Sequence, residues 1–559
     1  MTTRTTSRCI RLLLCQFSLA CLAAASLFAI EAEAGTILVG KTPGVCTKYT
    51  LESAIKWANE LDGYNVIIVT DDAPAGEYRE NVHVGDLKPG LQLEIHGGYR
   101  SCTDPVPSGS FTRIRGASTG APVLRLGGDT ADVSVTGLVF SGGSNGIELD
   151  GPIKMHLADD IHVVDNQSDG IRLHYSGGAD ATVKPRLDLR GSVEVARNGG
   201  AGIRAHDKGV LEIQSTSVRV WDNGGHGVEM HSPSEARIKG SGPTLWGNHG
   251  YGLWMESTAS FSGVRNVYVD SIESAAPMEI SHNEGGAVYV RAPSAGDAYH
   301  AIVGDVILRG NAGRPILVEG IGATLAIDPG MCRLQPSPGH GCGMFDNESA
   351  NGALPLIAAI GGARIALDGM WISGNNASAI LSTNLGTGVA DSSITLRQSI
   401  VTGNTLRDNV FESLNGGSVQ IDRTTVMANG GFFGVSFVSI DPLLLQTTDS
   451  IIDQPQRLLI VEGDGSTTHF QRVLAPNRDG ASAEDDIPLG RAIFRDEVGR
   501  LAVESPGTDY APAAGSSDFE GAPRNVDLPG VGNGDNPRDL GAFETSIDVD
   551  WIFWTGFER

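Results

Sequence analysis

The sequence predicts an all-β chain, a parallel β-helix (β-solenoid) opened by a short N-terminal capping helix, and three observations predict it. Glycine supplies 74 of 559 residues yet follows no every-third-residue rule, which excludes a collagen triple helix. Apolar residues make up 40%, too many for global disorder. The central chain repeats one phrase with a period near 25 residues: an Asn, three residues, a Gly or Ala, then an apolar-x-apolar step. It runs Gly142 with Gly146, Ile147 and Leu149, then Asn166 with Gly170, Ile171 and Leu173, then Asn198 with Gly202, Ile203 and Ala205. It continues from Asn223, Asn248 and Asn283 and, more loosely, from Asn311 and Asn375. No amphipathic helix separates the units, so βαβ, ankyrin and tetratricopeptide arrangements are excluded, and propeller blades need about 40 residues. A shorter turn suits three strands and three bends. Each Gly is expected to take the positive φ of a bend, and each Asn to stack on its counterpart and hydrogen-bond along the axis.

The elements follow in chain order. Arg4, Arg8 and Arg11 precede an apolar stretch from Leu12 to Ile30, followed by Ala32-Glu33-Ala34, so residues 1–34 read as a secretory signal cleaved before Gly35. Cys15, Gln16, Ser18 and Cys21 interrupt that stretch, against a membrane anchor, and no later segment could span a bilayer. Residues 35–110 form the N-terminal cap and first strands. Leu51, Ala54, Ile55 and Ala58 are spaced for one face of a helix over Thr50–Leu61 with Thr50 as N-cap, a lid on the first coil. Residues 111–475 are the solenoid. Residues 476–547, rich in Pro, Gly and Asp, are expected to wrap back along it, and 548–559 form an aromatic tail, read either as a sorting peptide or as a plug on the last coil.

These residues resemble right-handed parallel β-helix proteins of the pectin-lyase-like superfamily across about residues 110–475. The ends carry a narrower likeness. Cys46-Thr47 followed by Leu51, Ala54-Ile55 and Ala58-Asn59 resembles the opening of secreted bacterial β-helix proteins, with Lys48-Tyr49-Thr50 as a departure from it. Arg524, Asp527 and the run Asp539 to Glu544 resemble the closing motif of their choice-of-anchor Q group. The resemblance implies a right-handed fold and an exported or surface-located bacterial protein, without implying an activity.

Composition bounds the partners. Against 66 acidic residues stand 41 basic ones, a net charge of −25, which repels phosphate backbones and excludes nucleic acid. Beyond the signal remain Cys46, Cys102, Cys332 and Cys342, an even number in a chain bound for an oxidising compartment. The local pairings Cys46–Cys102 and Cys332–Cys342 are expected. No second short Cys pair accompanies Cys332 and Cys342, so zinc is disfavoured.

Register locates the chemistry. Side chains alternate along a strand, so residues six and eight places after each repeat Asn face solvent and stack from coil to coil. The first file reads Glu148, Arg172, Arg204, Glu229, Trp254, Tyr289; the second reads Asp150, His174, His206, His231, Glu256, Arg291. Arg172, His174, Arg204, His206, Glu229 and His231 are the catalytic candidates, because Arg grips carboxylates, His exchanges protons near neutral pH and Glu acts as acid or base. Glu148, Asp150, Trp254, Glu256, Tyr289 and Arg291 are the ligand-binding candidates, the rings suiting a sugar face. Neighbouring imidazoles could hold a transition metal, and Asp165 and Asp222 could help bind Ca²⁺, though an Asp beside a turn more often caps amides. Trp221 and Trp246 occupy equivalent positions and should stack, as a glycan platform or as bend filling.

Asp159-Asp160, Gly225-His226-Gly227 and Arg237-Ile238-Lys239 resemble fragments of polygalacturonase signatures, but their spacing fits no single-coil constellation. The reading is an exported surface or extracellular β-helix, glycan-binding or structural. The alternative is a polysaccharide lyase or glycoside hydrolase acting on the outward face.

Overall fold

The computed structural model of the chain describes residues 35–544 apart from 62, 74–75, 109–110, 176–183, 207, 216, 232–233, 239–243, 258–264, 270–276, 293–298, 328–341, 384–390, 415, 432–434, 441–443, 455–456, 463–466, 480–485, 489, 497–498, 513–516, 521, 525–527 and 529–537. The expected signal and aromatic tail lie outside the described residues, as do Cys332 and Asp527.

The chain is a right-handed parallel β-helix. One coil supplies the strands Arg186–Arg190, Val193–Ala196 and Ile203–Ala205; the next supplies Val210–Ile213, Val218–Trp221 and Val228–His231. Each pairs in parallel with its counterpart one coil on. Stacking the third strand of every coil gives a 14-stranded sheet from Val82–Leu87 to Arg457–Glu462. The first and second strands form two columns that count as one 29-stranded sheet, because the long strand Leu444–Asp453 pairs with both. A three-stranded ladder covers one further bend. Alternation puts one face of every strand into a single bore, where Leu187, Val195, Ile203, Leu211, Val220 and Val228 are fully buried.

The bend before the 14-stranded sheet is held by an asparagine ladder. Nδ2 of each Asn donates to Oδ1 of the Asn one coil on, from Asn166 through Asn198, Asn223, Asn248, Asn283, Asn311, Asn347, Asn375 and Asn404 to Asn429, at 2.7 to 3.0 Å. Asn347, Asn404 and Asn429 were not recognisable from the phrase, since Asn351 and Asp408 stand where the first two would need Gly or Ala.

The expected role of the repeat glycine is corrected. The left-handed position is the residue before the ladder Asn: Asp165, Arg197, Asp222, His282, Asp346 and Ala428 have φ between 51° and 56°. The glycine four residues after the ladder Asn is needed for space instead. A Cβ on Gly170 would lie 2.6 Å from Gly202 O and 2.7 Å from Asn198 Nδ2.

The helix Leu51–Glu60 closes the first coil. Thr50 Oγ1 accepts from Ser53 N at 3.2 Å, Leu51, Ala54, Ile55 and Ala58 are fully buried, and the Glu80 carboxylate accepts from the amides of Leu51 and Glu52. Cys46 and Cys102 form a disulfide beside it, and Cys342 is disulfide-bonded too. At the other end the chain returns over the outside of the sheet: Phe519 and Phe543 pack on Phe345, Trp371 and Ile400. Fully buried Arg524 donates to the carbonyls of Gly541 and Ala542, both at 2.8 Å, which gives the Arg524 and Asp539–Glu544 motifs a shared purpose.

Candidate functional site

The outward face of the 14-stranded sheet carries both predicted files in register. Arg125 faces Glu148, which faces Arg172, then Arg204, Glu229, Trp254 and Tyr289. In the second file Asp150 faces His174, and His231 faces Glu256, which faces Arg291. His206 sits just past its strand, its amide donating to Leu173 O, and its ring lies flat on that of His231, centroids 4.4 Å apart and planes 10° apart.

The centre of the face is an ionic network. Arg172 and Arg204 are direct cross-strand neighbours, an arrangement that opposes stability without counter-charges. Two acids compensate. Arg204 reaches Asp169, 1% exposed, at 3.2 Å and Glu229, 7% exposed, at 2.9 Å. Asp169 also accepts from Ala201 N at 3.0 Å. Burial alone would raise Glu229, but His231 Nε2 at 2.6 Å and the Arg204 guanidinium outweigh it and bring its pKa down to about 2. His206 moves the other way from usefulness as a base: burial first, then the neighbouring charges of His231, Arg204 and Arg172, lower it to about 4.

Beyond this network the rings form a stack along the axis. Trp254 lies 4.3 Å from His226, on the coil before it, and 3.9 Å from Tyr289, on the coil after it, with interplanar angles of 25° and 28°. Both faces of the indole are therefore covered by protein, leaving its edge outward. His226 Nδ1 accepts from Tyr251 N at 2.9 Å, and burial lowers its pKa, so it is neutral. Tyr289 donates to Glu319 at 2.8 Å, and Arg291 reaches Glu256 at 2.9 Å.

Toward the N-terminal end the same face opens into a cleft of about 470 Å³. Its lining joins His83, Arg125, Asp129, Asp150 and Tyr175 around Gly85, Gly127, Gly128 and Gly151, where missing side chains leave the backbone bare. Arg125 is held by Glu148 at 3.3 Å and Asp150 at 2.8 Å. Of this cleft, sequence reading singled out only Asp150: His83, Arg125 and Asp129 lie on coils before Gly142, which lack the Asn phrase from which positions were counted, and Tyr175 lies one residue past the second file.

A second ionic cluster, on the long sheet, went unread. Ser134, His156, Asp188, Glu212 and Arg237 are in register on successive coils. Asp188 is fully buried within 3.0 Å of His156 Nδ1 and 2.8 Å of Arg186 Nε; burial opposes its ionisation, but these partners take its pKa down to about 2. Counting back ten or eleven residues from each ladder Asn would have found the file.

The polygalacturonase-like fragments stay apart. Asp159 and Asp160 form a left-handed corner, His226 belongs to the aromatic stack and Arg237 lies on the long sheet. Asp165 is paired with Arg197 at 3.0 Å. Among the described residues no group of three or more His, Cys, Asp or Glu side chains is placed to hold a metal ion, and no helix is long and apolar enough to cross a membrane. No protein-family model matches the chain, and no curated protein matches it.

Proposed function

We propose that this protein is an exported β-helix of the pectin-lyase-like kind, with a choice-of-anchor Q-like close, that binds a glycan of the cell envelope or surroundings along the outward face of its 14-stranded sheet without cleaving it. The observation that carries the reading is the continuity of that face. From His83 through Arg125, Glu148, Arg172, Arg204, Glu229 and Trp254 to Tyr289 the strands are in unbroken register, about 34 Å at about 4.8 Å per step, with a cleft at one end. An extended polymer with many hydroxyls meets a line of charged donors and acceptors, ending in aromatic rings, over that length.

Binding is favoured over turnover by the ionisation of the central groups. A catalytic acid or base works best with a pKa near the operating pH. Glu229 is a fixed carboxylate and His206 a fixed neutral imidazole at neutral pH, so neither exchanges a proton readily there. Secretion is part of the proposal and rests on residues 1–34 and the disulfide Cys46–Cys102. Calcium, if required, would act by bridging an acidic glycan to this acidic chain.

The test is incubation of the secreted form with a polysaccharide panel, scored for retention, new reducing ends and unsaturated uronide absorbance. Retention without new ends, weakened about tenfold by Arg125→Ala, is the expected result. New ends that disappear in His206→Ala would move the reading to a lyase or hydrolase, and no retention at all would leave a structural rod.

A further inference from the structure

We infer that a second carbohydrate site, independent of the face described above, lies on the long sheet around Trp221 and Trp246, and that it takes a short neutral oligosaccharide. Trp221 and Trp246 end the strands Val218–Trp221 and Thr244–Trp246 and are direct register partners. Trp221 packs against Val139, Val164 and Ala196 with the Arg197 guanidinium 5.2 Å from its ring centre, and so serves as the anchored ring beside the open Trp246. Their centroids are 5.8 Å apart with planes tilted 51°, so neither ring covers the other, and Trp246 is 44% exposed. Trp254, by contrast, has both faces occupied by neighbouring rings.

The two indoles line a cleft of about 520 Å³ together with Glu194, Arg219, Thr244, Glu279 and Ser281. That volume is in the range of small-molecule sites. The polar residues are not scattered: Glu194, Arg219, Thr244 and Glu279 are in register on four successive coils, a file two residues away from the tryptophans on the same outward face, spanning about 14 Å. Apolar ring surface beside a straight line of hydroxyl-binding groups is what a pyranose needs, one face of C–H bonds and an equatorial rim of hydroxyls.

The indole N–H groups are already engaged, which fixes the rings. Trp221 Nε1 donates to Glu194 at 3.0 Å and Trp246 Nε1 to His282 Nδ1 at 3.1 Å. Glu194 is also held by His162 at 2.7 Å. Charge selects the ligand class. Carboxylates at both ends of the file, against the one Arg219 between them, repel a polyuronate, so a neutral chain is the fit.

The experiment uses the secreted form with tryptophan replaced by 5-fluorotryptophan, and titrates it with cellotetraose, maltotetraose, mannotetraose and chitotetraose, following the assigned Trp246 fluorine signal and the heat of binding. At least one tetraose is expected to shift that signal, with affinity falling tenfold or more in Trp246→Ala, recovering in part in Trp246→Phe, and unchanged in Arg172→Ala. A panel that leaves the Trp246 signal still overturns the proposal. So does binding that survives Trp246→Ala or is lost in Arg172→Ala, because it then belongs to the other face. Failure of long-polymer retention in Arg125→Ala bears only on that other face.

Discussion

Asn198 and Asn223, 25 residues apart, are joined twice: the amide N and Nδ2 of Asn198 both donate to Asn223 Oδ1, at 3.1 and 3.0 Å. Asn223 Nδ2 in turn donates to Val195 O and to Asn248 Oδ1. One side chain thus satisfies four buried groups on the two flanking coils. Asn198 Nδ2 keeps Val163 O and Asn248 Oδ1 keeps the backbone amide of residue 223, so Asn223→Ala takes the partner from Asn198 N and Val195 O, each loss costing about 1–3 kcal/mol. Asn223→Asp is expected to be the worse substitution, since a carboxylate would face the Val195 and Asn248 oxygens with no hydrogen to offer. Urea unfolding of both variants checks this, and an Asp variant as stable as wild type would refute the head-to-tail orientation.

That ladder explains why so much of the architecture was legible. A group that must repeat in every coil leaves an Asn at a nearly fixed distance from an apolar step, and the eye finds it. The capping helix was legible for a related reason, its four buried positions falling on one face beside a Thr that can cap. What escaped was whatever the phrase does not count. His156 and Asp188 lie upstream of each Asn, across a corner whose length varies little but whose sequence does not repeat. Trp254 was placed on the correct file, yet its availability depends on rotamers of His226 and Tyr289, which register does not specify. Glycine was given the wrong duty, because both a positive φ and a crowded Cβ demand the same residue.

Acid should weaken the outward face in two steps. The unfolded state binds more protons than the folded one wherever a group is depressed by folding, so stability rises with pH across that window. For His206 the window runs from about 4 to its ordinary 6.5, and for Glu229 from about 2 to its ordinary 4.5. Both contributions are complete above the ordinary values and fade as pH falls. His206→Gln should therefore narrow the loss of urea midpoint between pH 7.5 and 5 relative to wild type, without altering the step below pH 4.5. An unchanged loss above pH 5 would show that His206 titrates normally.

Glu229→Gln tests the network at constant pH. The substitution keeps shape and removes the charge that faces Arg204 at 2.9 Å and His231 at 2.6 Å. Hydrogen bonds to charged groups are worth about 1.5–3 kcal/mol, and Arg204 would retain only Asp169 beside Arg172. Destabilisation of that order at pH 7.5, shrinking toward pH 2 where wild-type Glu229 itself begins to take up its proton, is the expected pattern. Equal destabilisation at both pH values would mean packing, not charge, is at stake.

Arg524 should act as the latch of the returning segment. It is fully buried, and burial lowers its pKa to about 10 against the opposing pull of Asp518 and Glu544. Arg524→Met removes the donors to Gly541 and Ala542, and each buried carbonyl left unpaired costs about 1–3 kcal/mol. The coils themselves do not depend on it. Limited proteolysis should cut residues 486–544 faster while the β-sheet circular dichroism persists. If both are lost together, the segment is part of the cooperative unit and not a strap upon it.

Two small substitutions near one bend should have opposite signs. Gly227→Ala puts a Cβ 2.6 Å from Gly252 O and 2.9 Å from Asn248 Nδ2, atoms of the ladder that cannot yield without breaking it, so overpacking of about 1–3 kcal/mol is expected. Ala428 is the reverse case, an exposed side chain at φ 51° just before the ladder residue Asn429. The left-handed conformation costs a non-glycine residue about 1–2 kcal/mol, and glycine's extra freedom in the unfolded chain offsets about 0.5–1 of that. Ala428→Gly should therefore stabilise by a few tenths of a kcal/mol to about 1. Because a solenoid opens locally, native-state amide exchange on the flanking strands reads each effect where it arises. Protection lost around Thr425–Met427 in the glycine variant would contradict the strain argument, and unchanged protection around Val228–His231 in the alanine variant would contradict the steric one.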